Sequence, residues 1–270
     1  MNVVEVYIKV NNSLVIFISG LSGTGRTTLA QNISRDFKLP IINLNKFCIK
    51  DYNKTVKLPD GTDIVNWDSD DIYDWSAINQ RIKDMQHNGV IVVGTVFPTD
   101  KLSVKADFHI HIKLAKQNLI SRRTRFMEDH KEDCHDLYEL NKSDKGLMIL
   151  NNVTLPYYYE SLKRTVITKY ISANDYAELD KDEYNAKIYD ESFDYLIGSI
   201  TKFTDASGYI PEQKESEKTK ETQKPDQPKE SVSEGQYKMT QPLVDMSSTT
   251  PTISSSSNTT ESEPWILKLW

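Results

Sequence analysis

Between the apolar run Leu14-Val15-Ile16-Phe17-Ile18 and the trio Leu29, Ile33 and Phe37 lies the nonapeptide GLSGTGRTT, residues 20 to 28. No other stretch restricts the chain as tightly. A continuously apolar run of this length fits a parallel strand covered on both faces, and apolar residues four apart fit one face of a helix. Gly20, Gly23 and Gly25 lie in the turn between them. Glycines there permit the positive φ values needed to point successive amides inward. Amides aimed in this way, at the positive end of a helix dipole, form a site for phosphate. The spacing is that of G-x-x-x-x-G-K-[ST], the P-loop, with Gly20 and Gly25 at the glycine positions. A tight glycine turn without a ligand is the plainer alternative, and the flanking strand and helix disfavour it.

One letter departs from the motif: Arg26 stands where lysine is the rule. Lysine is a compact point charge, whereas guanidinium is planar, bulkier and suited to forked contacts. Phosphate affinity is compatible with the exchange, and placement of a terminal phosphate is altered by it. The residues expected at the phosphates are Gly20, Ser22, Gly23, Thr24, Gly25, Arg26, Thr27 and Thr28. Thr27 holds the hydroxyl position that binds a magnesium ion bridging nucleotide phosphates.

At 270 residues and a net charge of -6, the chain has room for one α/β domain and further sequence, with no basic bias toward nucleic acid. Cys48 and Cys134 are its two cysteines and make no C-x-x-C pair, which fits a reducing compartment such as the cytoplasm. The start, MNVVEVYIKV, lacks the basic opening and apolar core of a signal peptide. No apolar run reaches membrane-spanning length. Its alternation predicts an extra strand within residues 1–13, hairpinned through Asn11-Asn12-Ser13 onto the strand that follows.

The domain is expected over residues 1–203. From 204 onward the composition turns to Ser, Thr, Lys, Glu, Gln and Pro, as in a disordered tail. The tail ends in Pro264-Trp265-Ile266-Leu267-Lys268-Leu269-Trp270. That cluster suits docking on a protein partner, on the domain itself or at a membrane surface, and equally suits a solvated end.

Ile41-Ile42, Val90 to Val93 and Phe108 to Ile112 supply further candidate strands, giving a parallel sheet with helices on both faces. An acidic segment, NWDSDDIYDW at residues 66–75, leads into a helix, and Asn118 to Arg125 holds an arginine cluster. Over residues 14 to 200 the chain resembles the uridine kinase and nicotinamide riboside kinase family of P-loop phosphotransferases. The resemblance implies ATP and magnesium as cofactors and a nucleoside or related riboside as substrate. It implies that Asp68 holds ribose hydroxyls, which suits an acceptor-only carboxylate. Arg122, Arg123 and Arg125 match arginines of a lid, about residues 115–147, that closes over the phosphates. Pro156 matches the helix after the lid, and Phe193 to Ile197 match the last strand, with Ser172 to Ser192 a surface insertion between them.

The departures from that family fall on chemistry. Leu44-Asn45-Lys46-Phe47 replaces a motif whose aspartate takes the proton from the attacking hydroxyl, and Val93-Gly94 replaces a glutamate-glycine pair near magnesium. Loss of a general base costs about 10²- to 10⁴-fold. Two functions therefore stand beside each other: an ATP-dependent kinase of a riboside, and a kinase-derived module that binds nucleotide and acts through its tail. A slow nucleotide-gated ATPase ranks below both.

His109 and His111 alternate along a candidate strand, and the reading chosen is a half-exposed face rather than a metal site. His130, Cys134 and His135 lie in a charged segment that needs no metal to explain it. Trp67 and Trp75 either stack on a base or pack against the sheet, and packing is the simpler role.

Overall fold

The computed structural model describes residues 2–129, 139–140 and 143–208. The expected tail beyond these residues, its terminal aromatic cluster and the His130, Cys134 and His135 group lie outside them. In chain order the elements are α1 (Val3–Asn11), β1 (Val15–Ser19), α2 (Arg26–Phe37), β2 (Ile41–Asn43), β3 (Thr55–Lys57), β4 (Asp63–Val65) and α3 (Trp75–Met85). They continue with β5 (Val90–Gly94), β6 (Phe108–Lys113), α4 (Lys116–Asp129), α5 (Asp144–Ile149), α6 (Leu155–Lys163), β7 (Lys169–Ser172) and α7 (Lys181–Ala206). A π-helical turn, Leu150–Thr154, joins α5 to α6.

Five strands form one parallel sheet in the order β2-β5-β1-β6-β7, and β3-β4 is a separate antiparallel hairpin. The apolar runs read from the sequence are its strands. Every residue of β1 and of β5 is buried, as expected for central strands covered on both sides. Side chains alternate between two cores. Ile16, Ile18, Ile91 and Ile110 pack with Leu29 and Ile33 of α2, Tyr7 of α1 and Ile188 and Leu196 of α7. Val15, Phe17, Val90 and Val92 pack on the other side with Ile78 and Ile82 of α3. The fold is α/β, a P-loop type of parallel sheet with helices on both faces.

The first segment is a helix, not the expected strand. Asn2 accepts from the Glu5 amide at 2.9 Å while Glu5 accepts from the Asn2 amide at 3.0 Å, a reciprocal capping box. The β-branched run then follows the helical stripe Val3, Val4, Tyr7, Ile8 onto the core, and Asn12 ends it in the left-handed region at φ 59°. Tertiary burial overrides strand propensity here. Both neighbours of β1 are consequently parallel.

The last strand also lies elsewhere. β7 pairs with β6 through Ile112↔Ile171, whereas Phe193 to Ile197 belong to α7. Tyr184, Ile188, Ser192, Leu196, Ile200 and Thr204 are buried at a spacing of four, a helical period that runs through the supposed insertion. Asp180 caps this helix by accepting from the Asp182 and Glu183 amides, and its end at Ala206 lies beyond the expected boundary at 203.

His109 and His111 are only 1% and 0% exposed, so the half-exposed face is also corrected. β6 is an interior strand, and both rings point into one buried chain of hydrogen bonds. The His109 Nδ1–H donates to the Val166 carbonyl at 2.7 Å, which leaves Nε2 to accept from the Ser19 hydroxyl at 2.6 Å. The Ser19 oxygen then accepts from His111 Nδ1–H at 2.7 Å, and His111 Nε2 accepts from the Tyr158 hydroxyl at 2.7 Å. Burial lowers the two rings to about 4 and about 3.

Because both rings are neutral when folded, the unfolded chain binds more protons below its ordinary histidine pKa. The histidine contribution to stability is therefore complete above about pH 6.5 and falls as pH drops toward 4, by roughly 1.4 kcal/mol per pH unit for each ring. Urea unfolding between pH 7 and 4.5 measures the fall. It is expected to shrink in His109→Asn, which keeps a donor for Val166 but does not titrate; an unchanged slope would remove the neutral pair as its cause.

Candidate functional site

Ser19 ends β1 beside Gly94 of β5 and His111 of β6, so the glycine loop begins where three central strands end. Its path is held by main-chain contacts. The Gly20 amide donates to the Thr95 carbonyl at 3.1 Å and the Thr24 amide to the Leu21 carbonyl at 3.2 Å. Gly23 and Gly25 have φ of 93° and 84°, the left-handed region expected of them. At Gly20 a Cβ would meet Thr24 Oγ1 at 2.6 Å and the Ile112 carbonyl at 2.9 Å. Gly25 caps α2 without a side-chain hydrogen bond, which leaves the first-turn amides of Arg26, Thr27 and Thr28 directed at the loop mouth.

The side chains of the loop have separate fates. Thr24 is buried, and both its hydroxyl, at 2.8 Å, and its amide donate inward to the Leu21 carbonyl. Ser22 is half-buried and Thr27 is exposed. Arg26 is buried and folds back across the loop, donating Nη1 to the Gly20 carbonyl. Desolvation lowers its pKa, and the phenols of Tyr73 and Tyr158 oppose that shift. Its charge therefore sits inside the loop rather than in solvent.

Of the three expected lid arginines, the structure brings two to the loop. Arg123 of α4 is buried and lies against Gly23, whose missing Cβ position is 2.7 Å from Arg123 Cγ. Burial lowers its pKa to about 10, with Asp68 opposing and Arg26 adding to the shift. The Arg122 guanidinium stacks 3.2 Å from the ring centroid of Tyr184, and that tyrosine donates to the Thr24 carbonyl at 3.2 Å. Arg125 turns away toward the Ala177 carbonyl at 3.4 Å.

Beside the loop is a small cleft walled by Asn45, Trp67, Asp68, Tyr73, Thr95 and Tyr157 among others. Asn45 is placed by the 3-10 turn after β2, and Thr95 by the end of β5. Asp68 accepts from the Thr154 hydroxyl at 2.7 Å, and burial raises its carboxyl to about 6. Trp67 packs on Tyr52 with ring centroids 5.8 Å apart and borders the cleft. Trp75 instead packs against the core with its indole N–H on the Asp70 carbonyl. Cys48 is a free thiol at the cleft wall, raised by burial to about 11 and so held protonated.

Several site residues carry no local sequence signal. Tyr157 donates to Asp70 at 3.0 Å, and Arg164 clamps Asp70 at 2.9 Å and Asp100 at 2.8 Å. This clip fixes the acidic segment against α6. Pro156, at the start of α6, was the one hint of it in the sequence.

Magnesium calls for hard oxygen donors in octahedral array. Thr27 offers one exposed hydroxyl, while Thr24 turns its own inward. The end of β5 beside the loop is Val93-Gly94, and Asp68 is engaged by Thr154 and faces the charge of Arg123. Among the described residues there is no group of three His, Cys, Asp or Glu side chains suited to a metal. The protein's donor set does not fit a tightly held divalent ion; guanidinium groups converge on the loop instead.

No protein-family model matches the chain, and no curated protein sequence matches it significantly. Solved structures similar to it include a protein described as a fructose transport system kinase from Silicibacter sp. TM1040, with TM-score 0.42 and 12% identity, covering 64% of this chain and 98% of that one. A gluconokinase from Sinorhizobium meliloti 1021 is similar at TM-score 0.40 and 11% identity, covering 72% and 94%. A shikimate kinase from Bacteroides thetaiotaomicron is similar at TM-score 0.40 and 15% identity, covering 68% and 98%. Among the described residues, no helix is long and apolar enough to cross a membrane.

Proposed function

We propose that this chain is a phosphotransferase that moves the terminal phosphoryl group of ATP to a hydroxyl of a small riboside. The observation that carries the reading is the adjacency of loop and cleft. Thr95 holds Gly20 through its carbonyl and also lines the cleft, while Arg123 lies on Gly23 and interacts with Asp68. A phosphate held by the loop amides is thus next to a hydroxyl held by Asp68, which is the proximity that transfer requires.

In this arrangement the acceptor oxygen bonds to the terminal phosphorus as the bond to the leaving nucleoside diphosphate breaks, and the hydroxyl proton passes to Asp68. The transition state is loose and depends on positioning and charge neutralisation more than on a base. Arg26 and Arg123 supply that neutralisation. A carboxylate accepts from two vicinal hydroxyls at once, and the Trp67 and Tyr157 walls offer flat apolar surface to a base.

A second reading is favoured by Asn45, an amide at the cleft where the resembling family has its proton acceptor. In it the chain binds nucleotide without transfer and acts through its C-terminal Trp265 to Trp270 cluster. Incubating the full chain with ATP and a panel of nucleosides, nicotinamide riboside and simple polyols, with and without magnesium, decides between them. A phosphorylated acceptor is the expected product; ATP binding with no product from any acceptor favours the second reading.

A further inference from the structure

We propose that the glycine loop takes its polyphosphate as a metal-free anion, with guanidinium groups supplying the neutralisation that a divalent ion would otherwise give. The inference rests on the reading of the loop as a nucleotide site and specifies the form of that ligand. Arg26 is buried inside the loop and donates to the Gly20 carbonyl, and Arg123 is buried against Gly23. Arg26 disfavours the charge on Arg123, which Asp68 offsets in part from the cleft side. Around Arg26 stand the phenols of Tyr73 and Tyr158 and a main-chain carbonyl, none of them an anion at neutral pH. A third guanidinium, Arg122, is fixed over Tyr184 next to Thr24.

Such a cluster has two opposite responses to incoming charge. An anion relieves the repulsion between neighbouring guanidinium groups and gains forked, charge-assisted hydrogen bonds. A divalent cation at the same place adds to the repulsion and finds few hard oxygens to hold it. The strand end that would lend a carboxylate carries Val93, which is 2% exposed and packed into the core beside Gly94. The arginine at position 26 and the missing carboxylate at the end of β5 are thus two sides of one change in how phosphate charge is met.

Calorimetry with the full chain and ATP tests this, in excess EDTA and in excess magnesium. The expected result is binding in EDTA at least as tight as in magnesium, within about threefold, and a fall of roughly 10- to 100-fold in EDTA for Arg123→Met. Binding that appears only with magnesium overturns the inference and leaves the nucleotide reading intact. Absence of binding in both buffers overturns the two together. Should Arg123→Met fail to fold, the comparison of buffers on the unaltered chain still decides.

Discussion

Replacing Asp68 by asparagine is expected to lower transfer by roughly 10²- to 10⁴-fold, the usual range for a lost proton acceptor, while making the protein more stable at neutral pH. The two effects share one cause. Burial raises the Asp68 carboxyl to about 6, above its ordinary value near 4, so the folded chain binds more protons than the unfolded chain between those limits. The Asp68 contribution to stability is then greatest below about pH 4 and falls as pH rises toward 6, by about 1.4 kcal/mol per unit, against the opposite slope of the two buried histidines. Above pH 6 the ionised group is a standing cost that the cleft tolerates. Asparagine removes the charge yet still accepts from the Thr154 hydroxyl, now 2.7 Å from the carboxylate.

A rise in Tm of the Asp68→Asn protein at pH 7 together with a collapse of kcat/KM is the expected pair. In the unaltered chain kcat/KM should climb with pH and level off above about 6, and the variant should lose that limb. Undiminished transfer by Asp68→Asn would falsify its assignment as proton acceptor. A lower Tm would instead place Asp68 among groups that hold the fold.

The second large effect is expected from Gly23→Ala. Gly23 has φ of 93°, and its absent Cβ lies 2.7 Å from Arg123 Cγ. Alanine there both strains the backbone, by about 1–2 kcal/mol, and pushes Arg123 from the loop. Loss of the charge-assisted contacts proposed for it at phosphate is expected to weaken ATP binding about 10- to 100-fold. Gly61 provides the control, since its φ of 87° is nearly the same and nothing lies within 4 Å of its Cβ position. Gly61→Ala should share the strain and keep the affinity. Equal affinities for the two variants would remove Arg123 from the phosphate site.

Legibility in the sequence followed how local each determinant is. The central strands could be read because a strand covered on both faces is an uninterrupted apolar run, as Leu14 to Ile18 and Val90 to Val93 are. The loop was legible because its glycines meet a backbone demand within six residues. At the first segment the pattern misled: Val3 to Val10 alternates as a strand does, and the deciding signal was the Asn2 and Glu5 capping box. At Phe193 to Ile197 a five-residue apolar view hid a stripe of period four extending over twenty residues. For His109 and His111 the want of a nearby third ligand points away from a metal, but nothing local distinguishes a half-exposed face from a buried one; their burial depends on Ser19, Tyr158 and Val166, each more than 45 residues away.

What the sequence determined by itself was the parallel α/β scaffold and a glycine-rich turn between strand and helix carrying arginine in place of lysine. Those follow from burial pattern and backbone geometry over short windows. Only the tertiary structure decided which charges meet. Thr154 reaches Asp68 across 86 residues, Arg164 reaches Asp70 across 94, and Arg123 closes on Gly23 while its neighbour Arg125 faces the other way. Helix rotation and chain crossover set these meetings, and neither is written in the spacing of residues along the chain.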